Sequence, residues 1–149
     1  MDARFDISDA EVKSERLVMK PSVIGRGEES ESVFEIFAGD EKVGKFTIHG
    51  GWMDRHEIFK NIPNAELGCY IDEPYWGRGY ATEATRACMD FLADSLGIEL
   101  FSIAHTPKNR ASRKVAEKLG FTLYEVSQFY SKTRGRFVDD VRHIWGLTY

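Results

Sequence analysis

The segment best suited to chemistry is a glycine turn, Trp76-Gly77-Arg78-Gly79-Tyr80-Ala81, followed by an apolar helical pattern. Two glycines let the backbone turn tightly and come close to a ligand. The helix that follows presents unpaired N–H groups and the positive end of its dipole. Together these features are typical of an anion site that suits a pyrophosphate. Arg78 can add a positive charge, although its backbone N–H matters more than its side chain.

The spacing of this turn narrows what it could bind. Gly77 and Gly79 fit neither the GxGxxG of dinucleotide-binding folds nor the GxxxxGK[ST] of P-loops, so both interpretations fail. Gly-x-Gly alone is a weak signal, and a plain turn before a helix explains it equally well. The surrounding sequence must decide between an anion site and a plain turn.

Seven segments have the pattern of β-strands. They cover Leu17–Val23, Val33–Ala38, Val43–His49, Ala65–Ile71, Leu100–Ala104, Thr122–Tyr130 and Phe137–Leu147. A hairpin turn is predicted at Gly39–Lys42 and another at Thr133–Gly135. Because side chains alternate along a strand, Phe34, Ile36 and Ala38 share one face of their strand. In the same way, Leu67, Cys69 and Ile71 share one face of theirs.

Two helical patterns separate the later strands. Thr82–Leu96 has apolar residues at helical spacing and ends at Gly97. Arg110–Leu119 is the second, with Gly120 as its stop. The order β, β, β, β, α, β, α, β, β predicts an α/β or α+β sheet flanked by helices. The unit between residues 65 and 104 predicts a right-handed parallel crossover.

Composition favours one ordinary domain over residues 1–149, with the polar residues 1–15 as the part expected to be flexible. The chain is 42% hydrophobic and 13% aromatic, which is enough for a packed core. Its formal net charge of -4 gives no basic character for nucleic acid. A mildly acidic surface suits a cationic amine, but this charge is also ordinary for a soluble protein.

Cysteine usage and hydropathy predict the compartment. Cys69 and Cys88 form no CxxC pair, which favours free thiols in a reducing environment. The sequence shows no apolar run of the length of a signal peptide or a membrane span. A cytoplasmic protein with no membrane partner is therefore predicted.

Three stretches resemble the GNAT superfamily of N-acetyltransferases, most closely the RimJ/RimL-like subgroup that acetylates N-terminal residues of ribosomal proteins. They are SERLVMKP at 14–21, LGCYIDEPYWGRGYATEA at 67–84 and NRASRKVAEKLGF at 109–121. In the second stretch the family pattern Gln/Arg-x-x-Gly-x-Gly/Ala falls on Trp76, Gly79 and Ala81. Three motifs in the correct order are far more specific than any one. The likeness covers residues 14–147 and is strongest over 66–121.

The resemblance implies a splayed, mixed, mostly antiparallel sheet. The CoA arm would enter between strands 65–71 and 100–104, where backbone groups around Tyr70 and Ile71 would bond the pantetheine amides as an added strand does. The glycine turn and helix start would hold the pyrophosphate. The residues so implied are Trp76, Gly77, Arg78, Gly79, Tyr80, Ala81 and Thr82.

The second motif helix would contribute two further contacts. The resemblance implies that Asn109 bonds the pantetheine arm and that Ser112 lies near the thioester sulfur. Asn109 is also a good helix N-cap, and the two roles can coexist. Ser112 could instead be an exposed first-turn residue. Arg110, Arg113 and Lys114 either contact the CoA 3′-phosphate or are solvated surface charges.

The chain departs from the family pattern in three places. Trp76 replaces the usual Gln or Arg, as is common in this subgroup. Many members carry a Tyr as general acid just before the Glu-Lys-Leu-Gly-Phe run, where this chain has Ala116. Protonation of the leaving thiolate then falls to Ser112 or water. Two helices that usually wall the acceptor site are replaced by the short connection Ile24–Ser32, so an open acceptor side is expected.

Several features of the acceptor side are predicted. Glu66, at the start of the splayed strand, is the candidate to accept a proton, and an exposed strand-end charge is the alternative. The long loop Gly50–Pro63, with Trp52 and Phe59, covers the acceptor or caps the sheet edge. A second protomer could also close the open side, which would make a homodimer. His56-Glu57 lacks the second His of HExxH, and no metal is predicted.

The predicted function is acetyl transfer from acetyl-CoA to a primary amine of a small molecule or peptide. A neutral amine must attack the thioester, with its proton taken by a base or a water chain. A backbone N–H near Ile71 would stabilise the oxyanion. The alternative is a GNAT-fold module that binds acyl-CoA as a sensor or interaction domain, which the missing Tyr and helices favour. A third interpretation, an unrelated α/β binding domain, requires all three motif matches to be chance.

Overall fold

The computed structural model of the chain describes residues 5–22, 31–50 and 61–146. The strands are β1 Val12–Lys13, β2 Val18–Pro21, β3 Glu31–Ala38, β4 Glu41–His49, β5 Asn64–Ile71, β6 Leu100–His105, β7 Thr122–Ser131 and β8 Arg136–Trp145. The helices are α1 Tyr80–Leu96 and α2 Arg110–Lys118. The strands form one sheet in the order β1-β2-β3-β4-β5-β6-β8-β7, and its β5–β6 pair is parallel while the others are antiparallel. The predicted mixed, mostly antiparallel fold with flanking helices is confirmed.

The first four strands form a meander in which alternation separates core from surface. Phe34 and Ile36 of β3 are buried, because successive side chains of a strand point to opposite faces. The structure begins β3 at Glu31, so Glu31 and Ser32 belong to the strand and not to the connection. The Ser32 hydroxyl donates a 2.7 Å hydrogen bond to the Phe5 carbonyl. Residues 23–30 of that connection lie outside the described ranges. Phe5, in the segment for which flexibility was predicted, packs into the core.

Both helices contribute to one core cluster on the same side of the sheet. α1 begins two residues earlier than predicted because the turn ends at Gly79, and it ends at Gly97, as predicted. Leu92 of α1 packs in the same cluster as Val115 and Ala116 of α2. Among the helices in the described ranges, none is long and apolar enough to cross a membrane.

The two central strands separate along most of their length. β5 and β6 pair only between residues 64–66 and 100–102. On its other side β5 continues to pair with β4 as far as Ile71. Beyond Glu66, the edge of β5 that faces β6 is therefore open. This splay is the one that the resemblance predicted.

The last two strands form the antiparallel pair that the sequence predicted. β8 lies between β6 and β7. Its register places Arg142 opposite Ala104, next to the point where β5 and β6 part. Leu147, predicted as the end of this strand, lies outside the described residues.

Candidate active site

The splay opens a cleft of about 900 Å³. Its walls are the open edge of β5, the glycine turn with the start of α1, and the first turns of α2. The side chains of His49 and Glu66 complete the lining from the sheet face away from the helices. All of the site residues predicted from the sequence line it: Glu66, Tyr70, Ile71, Trp76, Gly77, Arg78, Gly79, Tyr80, Ala81, Thr82, Asn109 and Ser112. The fold thus brings together residues that are up to 46 positions apart in the chain (112 − 66).

The open edge of β5 offers backbone groups to the cleft. The Asp72 N–H donates to the Val43 carbonyl of β4 at 2.8 Å. Because backbone groups along a strand alternate between its two sides, the N–H groups of Cys69 and Ile71 face the cleft. The Ile71 carbonyl accepts a 2.6 Å hydrogen bond from the Trp76 indole, which ties the glycine turn to the strand end.

Tyr70 contributes to the cleft by its side chain. Its backbone carbonyl lies against Gly44 of β4, so of the predicted pair only Ile71 turns its backbone to the open side. The Tyr70 ring lies over Gly68, where an added Cβ would be 3.3 Å from the hydroxyl oxygen. The ring therefore forms part of the cleft wall between the strand end and Glu66.

The glycine turn leaves the start of α1 open to the cleft. Gly77 and Gly79 have φ angles of 78° and 79°, in the left-handed region that glycine adopts without strain. The first hydrogen bond of the helix runs from the Glu83 N–H to the Gly79 carbonyl at 3.1 Å, and no side chain in the described ranges caps this end. The preceding N–H groups therefore have no partner within the helix. The Arg78 guanidinium lies 5.5 Å from the Tyr75 ring centroid.

The first turn of α1 is fixed by the loop between β1 and β2. The Glu83 carboxylate accepts hydrogen bonds from the Ser14 hydroxyl at 2.5 Å, the Arg16 N–H at 2.9 Å and the Arg16 Nε at 2.7 Å. Burial raises the pKa of Glu83, but these hydrogen bonds and the charge of Arg16 outweigh it and lower the pKa. The Arg16 guanidinium also lies 4.8 Å from the Tyr80 ring centroid. An ionised carboxylate thus anchors the helix start.

The start of α2 forms the opposite wall. Asn109 is its N-cap, and its Oδ1 accepts a 3.1 Å hydrogen bond from the Ser112 N–H. The cap uses the amide oxygen, so the amide nitrogen stays available as a donor. Ser112 is half-buried. Ala116, at the position where the resemblance implies a Tyr, is fully buried in the core.

Glu66 lies at the point where the strands part and is held by two partners. Arg142, itself buried, donates to one carboxylate oxygen, and His49 Nε2 lies 2.9 Å from the other. Burial raises the pKa of Glu66, but the hydrogen bond from His49 and the charge of Arg142 outweigh it and lower the pKa. The hydrogen bond to Glu66 raises the pKa of His49, although burial acts in the opposite direction. Glu66 is therefore an ionised, paired carboxylate.

Sequence reasoning missed both partners of Glu66. The register places His49 opposite Glu66 and Glu66 opposite Ser102, all on the sheet face away from the helices. Arg142 reaches the same row from β8, 76 residues further along the chain. A charged residue inside the predicted strand Phe137–Leu147 was the available signal, because buried charges are usually paired. The register that joins these residues has no signal in the sequence.

Within the loop Gly50–Pro63, which was predicted to cover the acceptor side, residues 51–60 lie outside the described ranges, and they include Trp52, His56 and Phe59. In the part of the chain that is described, no three His, Cys, Asp or Glu side chains cluster in a way that could hold a metal ion.

Known proteins resemble this chain in sequence and in fold. Residues 7–122 match the acetyltransferase (GNAT) domain. The chain belongs to the GNAT acetyltransferase family. This GNAT chain is 32% identical over 108 residues to the uncharacterized protein YkkB of Bacillus subtilis (strain 168), an alignment that covers 72% of the chain and 58% of YkkB. The chain thus spans less than two thirds of the length of that relative.

Two solved structures have the same GNAT fold. RimL, the ribosomal L7/L12 alpha-N-protein acetyltransferase in complex with coenzyme A, has a TM-score of 0.66 and 22% identity over 79% of this chain and 63% of its own. The microcin C7 self immunity acetyltransferase MccE, in complex with acetyl-CoA and AMP, has a TM-score of 0.65 and 22% identity over 80% of this chain and 62% of its own. At this identity the likeness shows the fold alone.

Proposed function

We propose that this GNAT chain transfers an acetyl group from acetyl-CoA to a primary amine by direct attack on the thioester. The observation that carries the proposal is the cleft between β5 and β6. The uncapped start of α1 lies at one end of this cleft, and the ionised carboxylate of Glu66 lies at the other. A helix start suits phosphates, and an amine must lose a proton before it attacks. We also propose that residues 1–149 act as one domain in the cytoplasm.

Two sets of groups in the cleft, and two solved structures with the same fold, support acetyl-CoA as the donor. The N–H groups from Gly77 to Thr82 would hold the pyrophosphate. The backbone of Ile71 and the amide nitrogen of Asn109 would bond the pantetheine arm. The related RimL and MccE structures hold coenzyme A and acetyl-CoA, respectively.

The reaction follows from this placement. The lone pair of a neutral amine attacks the thioester carbonyl carbon, and the N–H group of Cys69 stabilises the resulting oxyanion. Collapse of the tetrahedral intermediate breaks the carbon–sulfur bond and expels the thiolate. The thiolate takes a proton from Ser112 or from water, and the amide nitrogen loses its extra proton to water in the cleft.

The experiment that tests this function is a thiol-release assay with acetyl-CoA across peptide N-termini, polyamines, amino acids and aminoglycosides. Release that depends on one class of amine supports acetyl transfer and names the acceptor class. Tight binding of acetyl-CoA without release for any amine would contradict it.

The second candidate function is a module that binds acyl-CoA without acylating an acceptor. The specific observation in its favour is Ala116, because a small buried residue supplies no hydroxyl at the position of the family's acid. Binding without turnover in the same assay would support this alternative.

A further inference from the structure

We propose that His49 is the proton acceptor of the reaction and that Glu66 is a positioning residue that acts through it. This assignment rests on the proposed acetyl transfer. It names the side chain that prepares the amine for attack.

His49 and Glu66 lie side by side at the mouth of the splay. His49 is the last residue of β4 and the register partner of Glu66, which faces Ser102 in the last β5–β6 pair. Both side chains line the cleft from the sheet face away from the helices. The CoA-binding groups of α1 and α2 approach from the other face. An acceptor that enters opposite the cofactor therefore passes the imidazole.

The hydrogen bonds fix the role of each group. An ionised carboxylate only accepts hydrogen bonds, so the hydrogen at His49 Nε2 points to Glu66. In the neutral imidazole the lone pair is then on Nδ1, which can accept a proton, and the hydrogen bond of the ring to the Gly50 backbone also favours the protonated form. Both oxygens of Glu66 are already engaged, one by His49 and one by Arg142. Glu66 is thus better suited to orient the ring and stabilise the imidazolium than to accept the proton itself.

The exposure of His49 and the charges near it also support its role as the proton acceptor. The His49 side chain is 35% exposed and that of Glu66 only 15%. In the described ranges, the charged and titratable groups that face His49 are Glu31 on β3, Glu66 and Tyr70 on β5 and, behind Glu66, Arg142 on β8. The hydrogen bond to Glu66 raises the pKa of His49, burial opposes it, and the charges of Glu66 and Glu31 add to the rise. The surroundings therefore favour the protonated ring that forms during turnover.

The proton must cover some distance within the cleft. A strand rises about 3.3 Å per residue, which places Glu66 about 10 Å from the Cys69 N–H. The Tyr70 hydroxyl lies over Gly68, between these two points. Burial and the charges of Glu31 and Glu66 raise the pKa of Tyr70, which keeps its hydroxyl protonated and able to donate and accept. Cleft water and this hydroxyl form the path to His49.

The proton balance closes in each cycle. The acceptor arrives as an ammonium ion, and one of its protons passes along this path to His49 Nδ1. The neutral amine then forms the amide bond as the carbon–sulfur bond breaks. The thiolate takes one proton, the nitrogen gives up one, and the imidazolium returns its proton to solvent. The net products are the amide, CoA thiol and one released proton.

The test is kcat against pH for the wild type, His49→Gln and Glu66→Gln, with acetyl-CoA and the fastest amine from the thiol-release assay. In the wild type, kcat should rise with pH through a midpoint above 6.5, the ordinary pKa of His, because only the neutral ring accepts a proton. His49→Gln should lower kcat on the order of 100-fold and remove this rise. Glu66→Gln should lower kcat and move the rise to lower pH. Acetyl-CoA affinity should stay within about twofold in both variants, because neither side chain lies at the phosphate end.

Glu35→Gln is the matched control, since Glu35 lies on the same sheet face, pairs with Lys42 and does not line the cleft. It should leave the profile unchanged. A His49→Gln variant that keeps the wild-type kcat and pH profile would overturn the assignment while leaving acetyl transfer intact. A wild type that transfers no acetyl group to any amine would instead overturn the proposed function. NMR titration of His49 in the wild type and in Glu66→Gln measures the effect of Glu66 on the His49 pKa without turnover. A His49 pKa that is the same in both proteins would also contradict the assignment.

Discussion

At the scale of single residues, the backbone conformation of Gly79 makes it the sharpest test of the phosphate site. Its φ of 79° is strained for any side chain, although the space around it is ordinary, with the nearest atom to an added Cβ at 3.5 Å. Gly79→Val should weaken acetyl-CoA binding about 10–100-fold, the loss of roughly one charge-assisted hydrogen bond. Isothermal titration calorimetry measures the affinity.

Gly39→Val is the control for backbone strain. Gly39 has a φ of 63° and nothing within 4 Å of an added Cβ, and it lies in the β3–β4 turn. It should lower stability without changing acetyl-CoA affinity. If both variants lost affinity equally, Gly79 would act through stability and not through the phosphates.

Ser112 carries the second residue-scale prediction. Its backbone N–H is held by Asn109, so removing the hydroxyl should leave its position unchanged. If the hydroxyl protonates the thiolate, Ser112→Ala should lower kcat roughly 10–100-fold with little change in KM for acetyl-CoA. Steady-state kinetics measure both constants, with Ser95→Ala, exposed near the end of α1, as the control. An unchanged kcat would make Ser112 a bystander.

At the scale of elements, the start of α2 combines a structural role with a proposed ligand role. Asn109→Ala removes the N-cap and should cost about 1 kcal/mol, or about 2–4 °C in Tm. Asn109→Asp keeps an oxygen for the Ser112 N–H and should restore Tm, but it lacks the amide donors and should still bind acetyl-CoA more weakly. Thermal unfolding and calorimetry separate the two effects. Full affinity in Asn109→Asp would leave Asn109 as a cap only.

The anchor of α1 predicts a pH dependence of stability. The folded-state pKa of Glu83 is lowered below its ordinary 4.5, so its contribution is present above pH 4.5 and is lost as pH falls through the folded pKa. Glu83→Gln should therefore have a lower Tm than the wild type at pH 7, and the gap should close in acid. Glu117→Gln, which removes an exposed i,i+4 pair with Arg113, should change Tm little. Equal Tm values for wild type and Glu83→Gln at pH 7 would show that the anchor is not stabilising.

At the scale of the whole molecule, acetyl-CoA should stabilise the fold because it would bridge the open edge of β5, α1 and α2. A ligand that binds only the native state adds about 2.7 kcal/mol at 100 times its Kd. Differential scanning fluorimetry should therefore show a rise in Tm with acetyl-CoA, and a much smaller rise for Gly79→Val. No shift at millimolar acetyl-CoA would rule out the cleft as its site.

Local features could be predicted because their causes lie within a few residues. The span of α1 follows from its helical period and from Gly97, which ends it in the left-handed conformation. The turn at Gly77 and Gly79 was evident because only glycine adopts its φ angles without strain. The family resemblance also implied that Asn109 and Ser112 lie on the same cleft as the turn, and both residues line it. These assignments depend on sequence patterns that are read without knowing which strands meet.

The sequence by itself therefore determined the order of elements, the glycine turn and the family resemblance. Only the tertiary structure decided that Glu66 is held between His49 and Arg142, and that Tyr70 turns its backbone away from the cleft. Both outcomes depend on the register between strands that are distant in the chain. Register is set by the packing of the whole sheet and by where β5 separates from β6, because a shift of one residue would send each side chain to the other face.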